Sequence, residues 1–345
     1  MASQAHPQSQ NIDLIKMAAC LLVITVHVTG VNLVDIASPG WTATNVYESF
    51  SRVCVPLFFM VSGATLLPRD HRLGEFLKRR FLRIFPPLLF WSFVYIGYYY
   101  YSKGWDLRAW GAYYSFLLWR PSATHLWYLY ALIGIYPFIP LISKIYNNSS
   151  NTEKIYFLAL WFLTSTAVPF LGSAYGIRLN LSAYYLQTIG GYIGYFFLGA
   201  FAMEIGRRPH RSIPWISVAI YVLSSILIAV MTYRVSMAAG KWTTVFQAYL
   251  TPLVAVAAFG LFTLLMSLRL HLTELQGRAL ASFAQCSLGV YCIHIIVRDE
   301  LARADITAAH SPYTLIVPAV AVLVMVISWL VIFVARKVPA LRYIL

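Results

Sequence analysis

The first apolar run of the sequence holds three ionisable side chains, Asp13, Lys16 and His27. Lys16 and His27 are eleven positions apart, and eleven helical steps of about 100° return to nearly the same face. We therefore expect both on one helical stripe, about 16 Å apart along the axis, with Asp13 one turn before Lys16 and able to pair with it. An imidazole in such a position could act as a general base. The alternatives are a lysine that snorkels to the membrane surface with its ion pair, and an ordinary buried histidine.

The second apolar run contains Arg52 and, ten residues later, Ser62-Gly63. A guanidinium cannot lose its charge through a pKa shift, so Arg52 must face either a polar interior or the outer interface. Ser62 and Gly63 are small and also fit a close contact between two helices. The run therefore holds one candidate for a polar site and one for a helix crossing.

Basic residues cluster in the segment 78–83, ahead of the third apolar run. Arg80 and Arg83 share a helical face there, and Arg79 lies beside them. Guanidinium groups bind phosphate in a bidentate manner, which favours a nucleotide-like or diphosphate ligand. A topology signal that contacts anionic lipid is the alternative. Pro86-Pro87 follow, and we expect them to break the helical ladder where the backbone lines a cavity.

Two further histidines lie in apolar runs. His125 opens the fourth run together with Trp127, and His294 lies three positions after Tyr291 in the ninth, on one helical face. An aromatic belt at the membrane surface and a buried core histidine are the corresponding alternatives. The residues predict no metal site.

The composition shows which elements must position these residues. Of 345 residues, 60% are hydrophobic and 11% are charged, whereas soluble domains carry about 25% charged residues. We predict an all-α, polytopic integral membrane protein, a single transmembrane domain over 1–345 with no fused soluble domain. Spanning takes roughly 20 apolar residues. The ten predicted membrane helices are 12–33, 45–67, 81–101, 125–143, 155–172, 184–205, 214–233, 249–268, 281–298 and 313–335.

Three smaller features complete this prediction. The N-terminal apolar run is interpreted as the first membrane helix rather than a cleaved signal peptide, because no Lys or Arg precedes it within residues 1–11. The segment 102–124 is rich in Trp, Tyr and Leu and predicts an interfacial helix. All four cysteines lie in apolar runs, which favours buried thiols over a disulfide framework.

The distribution of positive charge predicts the orientation. The net charge is +14, and with the N-terminus inside, 16 Lys and Arg residues fall in inner segments against 8 in outer ones. The positive-inside rule explains this excess, so no nucleic-acid partner is implied, and both termini are predicted to be cytoplasmic. The orientation sorts the candidates into an outer layer of His27, Arg52, His125 and His294, and an inner layer of Lys16, Ser62, Arg80 and Arg83. A cavity that crosses much of the membrane is expected if these faces converge.

Together these residues resemble the acyltransferase-3 family. The resemblance rests on Ile12-Asp13 with Lys16 and His27, on the segment 52–63, on Arg80 and Arg83, on the opening His125-Leu126-Trp127, and on the segment 287–294. It follows the family's order over nearly the whole chain. Lys16 is a departure, because the family usually has Arg there, and the change keeps the charge but loses the bidentate fork.

The resemblance implies a membrane enzyme that moves an acyl group, usually acetyl, from cytoplasmic acetyl-CoA or another acyl-CoA to a hydroxyl. The implied acceptor is a surface or exported polysaccharide or glycolipid, the partners include membrane lipids, and the location is the bacterial inner membrane, with an oligomer left open. The implied catalytic residues are His27, Lys16 and Asp13. The implied CoA-binding residues are Arg80, Arg83, Arg79 and Ser62. The implied lining of the substrate site or acyl channel is Arg52, His125, Trp127, Tyr291 and His294.

Two other classes of function remain. Buried charges and a proline-broken helix also mark transporters or flippases for anionic or lipid-linked substrates, although no inverted repeat is visible. Consumption of a thioester by the purified protein would separate an enzyme from a transporter. A purely structural partner in polysaccharide export would leave the intramembrane charges unexplained.

Overall fold

Apolar helices make up most of this protein. A computed structural model describes residues 7–104, 120–177, 191–208, 210–342 and 344–345. It is 77% helical, and the described residues contain no strand. In chain order the α-helices are α1 Pro7–Thr29, α2 Trp41–Ser51, α3 Cys54–Leu66, α4 Leu73–Lys103, α5 Trp127–Ile135, α6 Ile139–Asn148, α7 Asn151–Trp161, α8 Val168–Tyr175, α9 Ile193–Gly206, α10 Ile213–Ala239, α11 Pro252–Ser267, α12 Glu274–Arg303 and α13 Tyr313–Ala335.

The helices match the predicted spans one for one. In the described part of the chain, eight helical stretches are long and apolar enough to cross a membrane. They are Gln10–Thr29, Trp41–Leu66, Leu73–Lys103, Thr124–Asn148, Asn151–Tyr175, Ile213–Ala239, Glu274–Arg303 and Tyr313–Ala335. Two shorter apolar helices, α9 and α11, take the places of the sixth and eighth predicted spans, although 184–190 of the sixth lie outside the described residues. The all-α polytopic fold is thus confirmed. Most of the predicted interfacial helix, 105–119, also lies outside the described residues.

Pro86-Pro87 removes two hydrogen bonds from the ladder of α4, as predicted, but does not end the helix. The helix α4 runs through both prolines without interruption from Leu73 to Lys103. The missing N–H groups would have bonded the carbonyls of Leu82 and Arg83, and both of these residues are exposed. The helix therefore continues because water or lipid head groups can satisfy the two freed carbonyls near its exposed end.

A close crossing of α3 and α9 forms part of the core. A Cβ atom on Gly63 would overlap the carbonyl group of Phe196, and one on Gly199 would overlap the backbone of Met60. Two helices can approach this closely only through glycine, as small-residue contacts in membranes do. The helix-contact interpretation of Gly63 is confirmed. The crossing fixes the distance between α3 and α9. Ser62 and Phe58 both lie on α3.

The core centres on α1, which packs against α2, α3, α12 and α13. Cys20, Cys54, Cys286 and Cys292 are all buried and free, as the apolar runs around them predicted. Because α1 is central, the polar residues that it carries face other helices.

Both termini are expected on the cytoplasmic side, because the charge count gives 16 inner against 8 outer Lys and Arg residues. A reporter fused after Leu345 should read cytoplasmic, and a tag inserted near Lys241, in the exposed turn after α10, should be accessible from outside. An externally accessible C-terminus would contradict the assignment of the inner and outer layers.

Candidate active site

Three histidines from distant parts of the chain meet in one cluster. His27 comes from α1, His125 from the short 3₁₀ turn Thr124–Leu126, and His294 from α12. The ring centroid of His294 lies 5.1 Å from those of His27 and His125, and the His27 and His125 centroids are 6.1 Å apart. The structure thus brings together the three histidines predicted for the outer layer.

Hydrogen bonds to backbone carbonyls fix the orientation of two of the three histidine rings. Nε2 of His125 donates to the Cys292 carbonyl at 3.1 Å, and Nδ1 of His294 donates to the Tyr291 carbonyl at 2.6 Å. A carbonyl only accepts, so these nitrogens carry the hydrogen. Nε2 of the fully buried His294 is then a bare acceptor, without a partner among the described residues.

The ring of His27 is held differently. It is only partly buried, and its nitrogens have no hydrogen-bond partner in the described part of the chain. Its backbone is fixed, because Nη1 of Arg298 donates to the His27 carbonyl at 3.0 Å while the rest of that guanidinium binds Asp299. Of the three histidines, His27 is therefore the one with neither ring nitrogen hydrogen-bonded to a described residue, and its ring is also the least buried, so a bound molecule could reach it to exchange a proton.

Arg52 lies in the protein interior and has a buried partner. It forms an ion pair with Glu48, which is 1% exposed and also accepts a hydrogen bond from Thr29. Its guanidinium lies over the Tyr249 ring, 5.5 Å from the centroid, and its Nε has no partner among the described residues. Of the two positions predicted for Arg52, a polar interior and the outer interface, the structure shows the polar interior.

An aromatic group adjoins this ion pair. The Trp127 ring lies 6.0 Å from that of Tyr249 and 5.3 Å from that of Tyr192. On the other side of the histidines, the Tyr95 hydroxyl donates to the Cys292 carbonyl at 2.6 Å, the same carbonyl that His125 binds. The polar residues are therefore enclosed by tyrosine and tryptophan rings.

A cavity of about 280 Å³ lies at the level of the inner layer. Lys16, Arg69, Arg80 and Arg83 line it, and the described residues of its lining include no carboxylate. Lys16 binds Asp13 at 3.0 Å, as predicted from their spacing. The other lining residues are Phe58, Val61, Ser62, Thr65, Leu66, Ile84, Tyr128, Leu132, Tyr136, Ser287, Leu288 and Tyr291.

The two neighbouring arginines of α4 differ in their surroundings. Arg80 lies between two rings, 5.3 Å from the Phe76 centroid and 5.7 Å from that of Tyr136, and its buried Nε has no partner among the described residues. Arg79 is exposed, pairs with Glu75 at 3.2 Å, and does not line the cavity. Of the arginines predicted as one set, the structure places Arg80 and Arg83 together and Arg79 apart from them.

Three aromatic rings pack together in the wall of the cavity, and one of them reaches the histidines. Phe58, Tyr128 and Tyr291 line the cavity and pack on one another with centroids 5.5 to 5.9 Å apart. The Tyr291 hydroxyl donates to the His125 carbonyl, and its ring lies 6.0 Å from that of His294. We call these residues the aromatic trio. One side chain, Tyr291, thus touches both the cationic cavity and the histidine cluster.

The family assignment follows from a match over most of the chain. A family model described as an acyltransferase domain, that of acyltransferase-3, matches residues 9–333. The chain belongs to the acyltransferase-3 family. It is accordingly a membrane acyltransferase, as the resemblance implied. Comparisons with curated proteins and with solved structures gave no match.

Several residues of this acyltransferase site were missed in the sequence. Glu48 precedes Arg52 by four positions and Arg298 follows His294 by four, so helical spacing could have drawn attention to both. Tyr249 and Arg69 carry no comparable local signal. Among the described residues of the acyltransferase, no group of three or more His, Cys, Asp or Glu side chains is arranged to hold a metal ion.

Proposed function

We propose that this acyltransferase moves an acyl group, acetyl in the simplest case, from acyl-CoA to a hydroxyl of a surface or exported glycan or glycolipid at the bacterial inner membrane. The observation that supports this proposal is the cation-lined cavity that meets the histidine cluster at Tyr291. One part of the site would then bind the polyanionic donor, and the adjacent part would provide the proton acceptor.

The cavity suits coenzyme A as the donor substrate. The molecule carries several phosphate charges, and Arg80 and Arg83 offer cations that form no ion pair with a described carboxylate, beside Lys16 with its partner Asp13. Because the guanidinium of Arg80 lines the cavity without such a pair, a phosphate oxygen could accept from it. Apolar side chains such as Leu132 and Leu288 line the same cavity and fit a pantetheine arm.

His27 is proposed as the general base. A hydroxyl is a poor nucleophile near neutral pH, and the thioester supplies an activated acyl group. As the hydroxyl oxygen attacks the acyl carbonyl, the neutral imidazole takes its proton and then returns it to the departing thiolate. Lys16 lies about 16 Å along α1 from His27, so we assign it to holding the donor, with Asp13 positioning it, rather than to proton transfer.

Thioester consumption by the purified protein tests this function. Acetyl-CoA should be consumed in the presence of a glycan acceptor, and surface polysaccharides from cells with and without the gene should differ by the mass of the acyl group. Transport of an intact substrate without thioester loss would contradict the proposal and favour a transporter.

Replacement of the cavity arginines should weaken donor binding. Removal of two charge-assisted contacts in an Arg80→Ala, Arg83→Ala variant costs about 3 kcal/mol at most, or up to roughly a hundredfold in the dissociation constant of coenzyme A. Isothermal titration of the protein in detergent would measure it.

Arg79→Ala is the matched control, because Arg79 is exposed, lies on the same helix and binds Glu75 instead of lining the cavity. Its affinity should be close to that of the unmodified protein. Unchanged binding in the double variant would reduce Arg80 and Arg83 to topology signals.

A further inference from the structure

A second cationic cavity, of about 430 Å³, lies where α12 begins and α13 ends. Four basic side chains line it, and no carboxylate is found among the lining residues that the structure describes. Arg278 already pairs with Glu274, whereas the other three have no carboxylate partner among the described residues. These three are Arg336, Lys337 and Arg342. The cavity therefore holds uncompensated positive charge, and it shares no lining residue with the donor cavity.

An apolar cavity of about 390 Å³ adjoins the cationic one. Its walls are almost entirely hydrocarbon and include Leu14 of α1, Phe283 of α12 and Met325 of α13. Trp329 lines the apolar cavity and Phe333 the cationic one, and their rings are in contact with centroids 6.2 Å apart. The buried Nε1 of Trp329 has no partner among the described residues. The contact between Trp329 and Phe333 thus places the two cavities side by side.

The depth of these cavities points to the membrane surface. The last apolar span ends at Ala335, so Arg336, Lys337 and Arg342 lie at the level of the lipid head groups. Basic pockets between helices at this level bind anionic head groups. A soluble polyanion would use the cationic cavity but would leave the apolar one without an occupant.

We propose that the two cavities together bind one anionic phospholipid. Its phosphate would contact Arg336, Lys337 and Arg342, and an acyl chain would pass Phe333 and Trp329 into the apolar cavity. This site is separate from the acyltransferase site and does not depend on the function proposed for it.

Retention of lipid by the intact protein tests the site. The full chain would be reconstituted in nanodiscs of phosphatidylcholine with a fraction of phosphatidylglycerol, and the retained lipid measured by native mass spectrometry. We expect one retained phosphatidylglycerol, reduced about tenfold or more in an Arg336→Gln, Lys337→Gln variant. A matched control, Lys144→Gln, Arg211→Gln, removes two exposed basic residues that line neither cavity and should retain the lipid.

Three results would overturn the proposal. They are equal retention of phosphatidylglycerol by both variants, equal retention of phosphatidylcholine by the unmodified protein, and displacement of the lipid by added coenzyme A. Displacement by coenzyme A would assign the cationic cavity to the acyl donor. Coenzyme A binding by an Arg80→Ala variant would then show whether the cavity at Arg80 binds the donor as well. If the double variant does not elute as a single folded species, Arg342→Gln in the exposed segment after α13 provides the same comparison.

Discussion

Replacement of His27 by alanine is expected to lower the rate of acyl transfer by about 10²–10⁴-fold, the usual effect of losing a general base. The ring nitrogens of His27 have no partner among the described residues, whereas His125 and His294 each donate to a backbone carbonyl. The affinity for coenzyme A should stay nearly unchanged, because His27 is not one of the residues that line the cationic cavity. Acyl transfer and donor binding measured on the same preparation would check both expectations.

His310→Ala is a suitable control, since His310 is exposed and bonds only Asp305 in the turn after α12. Its transfer rate should match that of the unmodified protein. Near-normal turnover in the His27→Ala protein, with unchanged elution and melting, would exclude His27 as the base. His294 would be the next residue to examine, because its buried Nε2 is an acceptor without a partner among the described residues.

Replacement of Gly63 by alanine is expected to destabilise the whole bundle. The new methyl group would overlap the backbone of Phe196 in α9, and backbone cannot rotate away as a side chain can. We expect a loss of about 3 kcal/mol, in the upper part of the range for overpacked cores. A lower melting temperature in detergent and a poorer yield of the folded protein would show it.

The control for this change is Gly97→Ala. Gly97 lies in the interior of α4, is exposed, and a Cβ atom there would meet nothing within 4 Å. Alanine should stabilise that helix by about 0.5–1 kcal/mol, because glycine loses more backbone entropy on folding. If the Gly63 and Gly97 variants melted alike, the close crossing of α3 and α9 would not be a determinant of stability.

The helices could be predicted because their signal is local. An apolar run of about 20 residues is visible wherever it occurs, and the Asp13–Lys16 pair follows from spacing on one helix. Contacts between distant segments carry no such signal, so the approach of His27 to His125 and His294 could only be assumed from their depth. Glu48 was passed over because one carboxylate at the start of a span resembles a surface residue until its burial is known. The loss of two ladder hydrogen bonds at Pro86-Pro87 could be predicted from residue type, whereas the full extent of α4 on both sides of them depends on surroundings that the sequence does not show.

The aromatic trio has a consequence for the ion permeability of the membrane. An enzyme whose two reactants arrive from opposite faces needs a path through the bilayer, and such a path would also conduct protons and small ions. If the reactants arrive as proposed, the packed rings of Phe58, Tyr128 and Tyr291 would lie on that path, and hydrophobic constrictions stop conduction by excluding water. An acyl group that passes between the three rings would itself fill the opening. The proposed reaction would then proceed without dissipating the membrane potential.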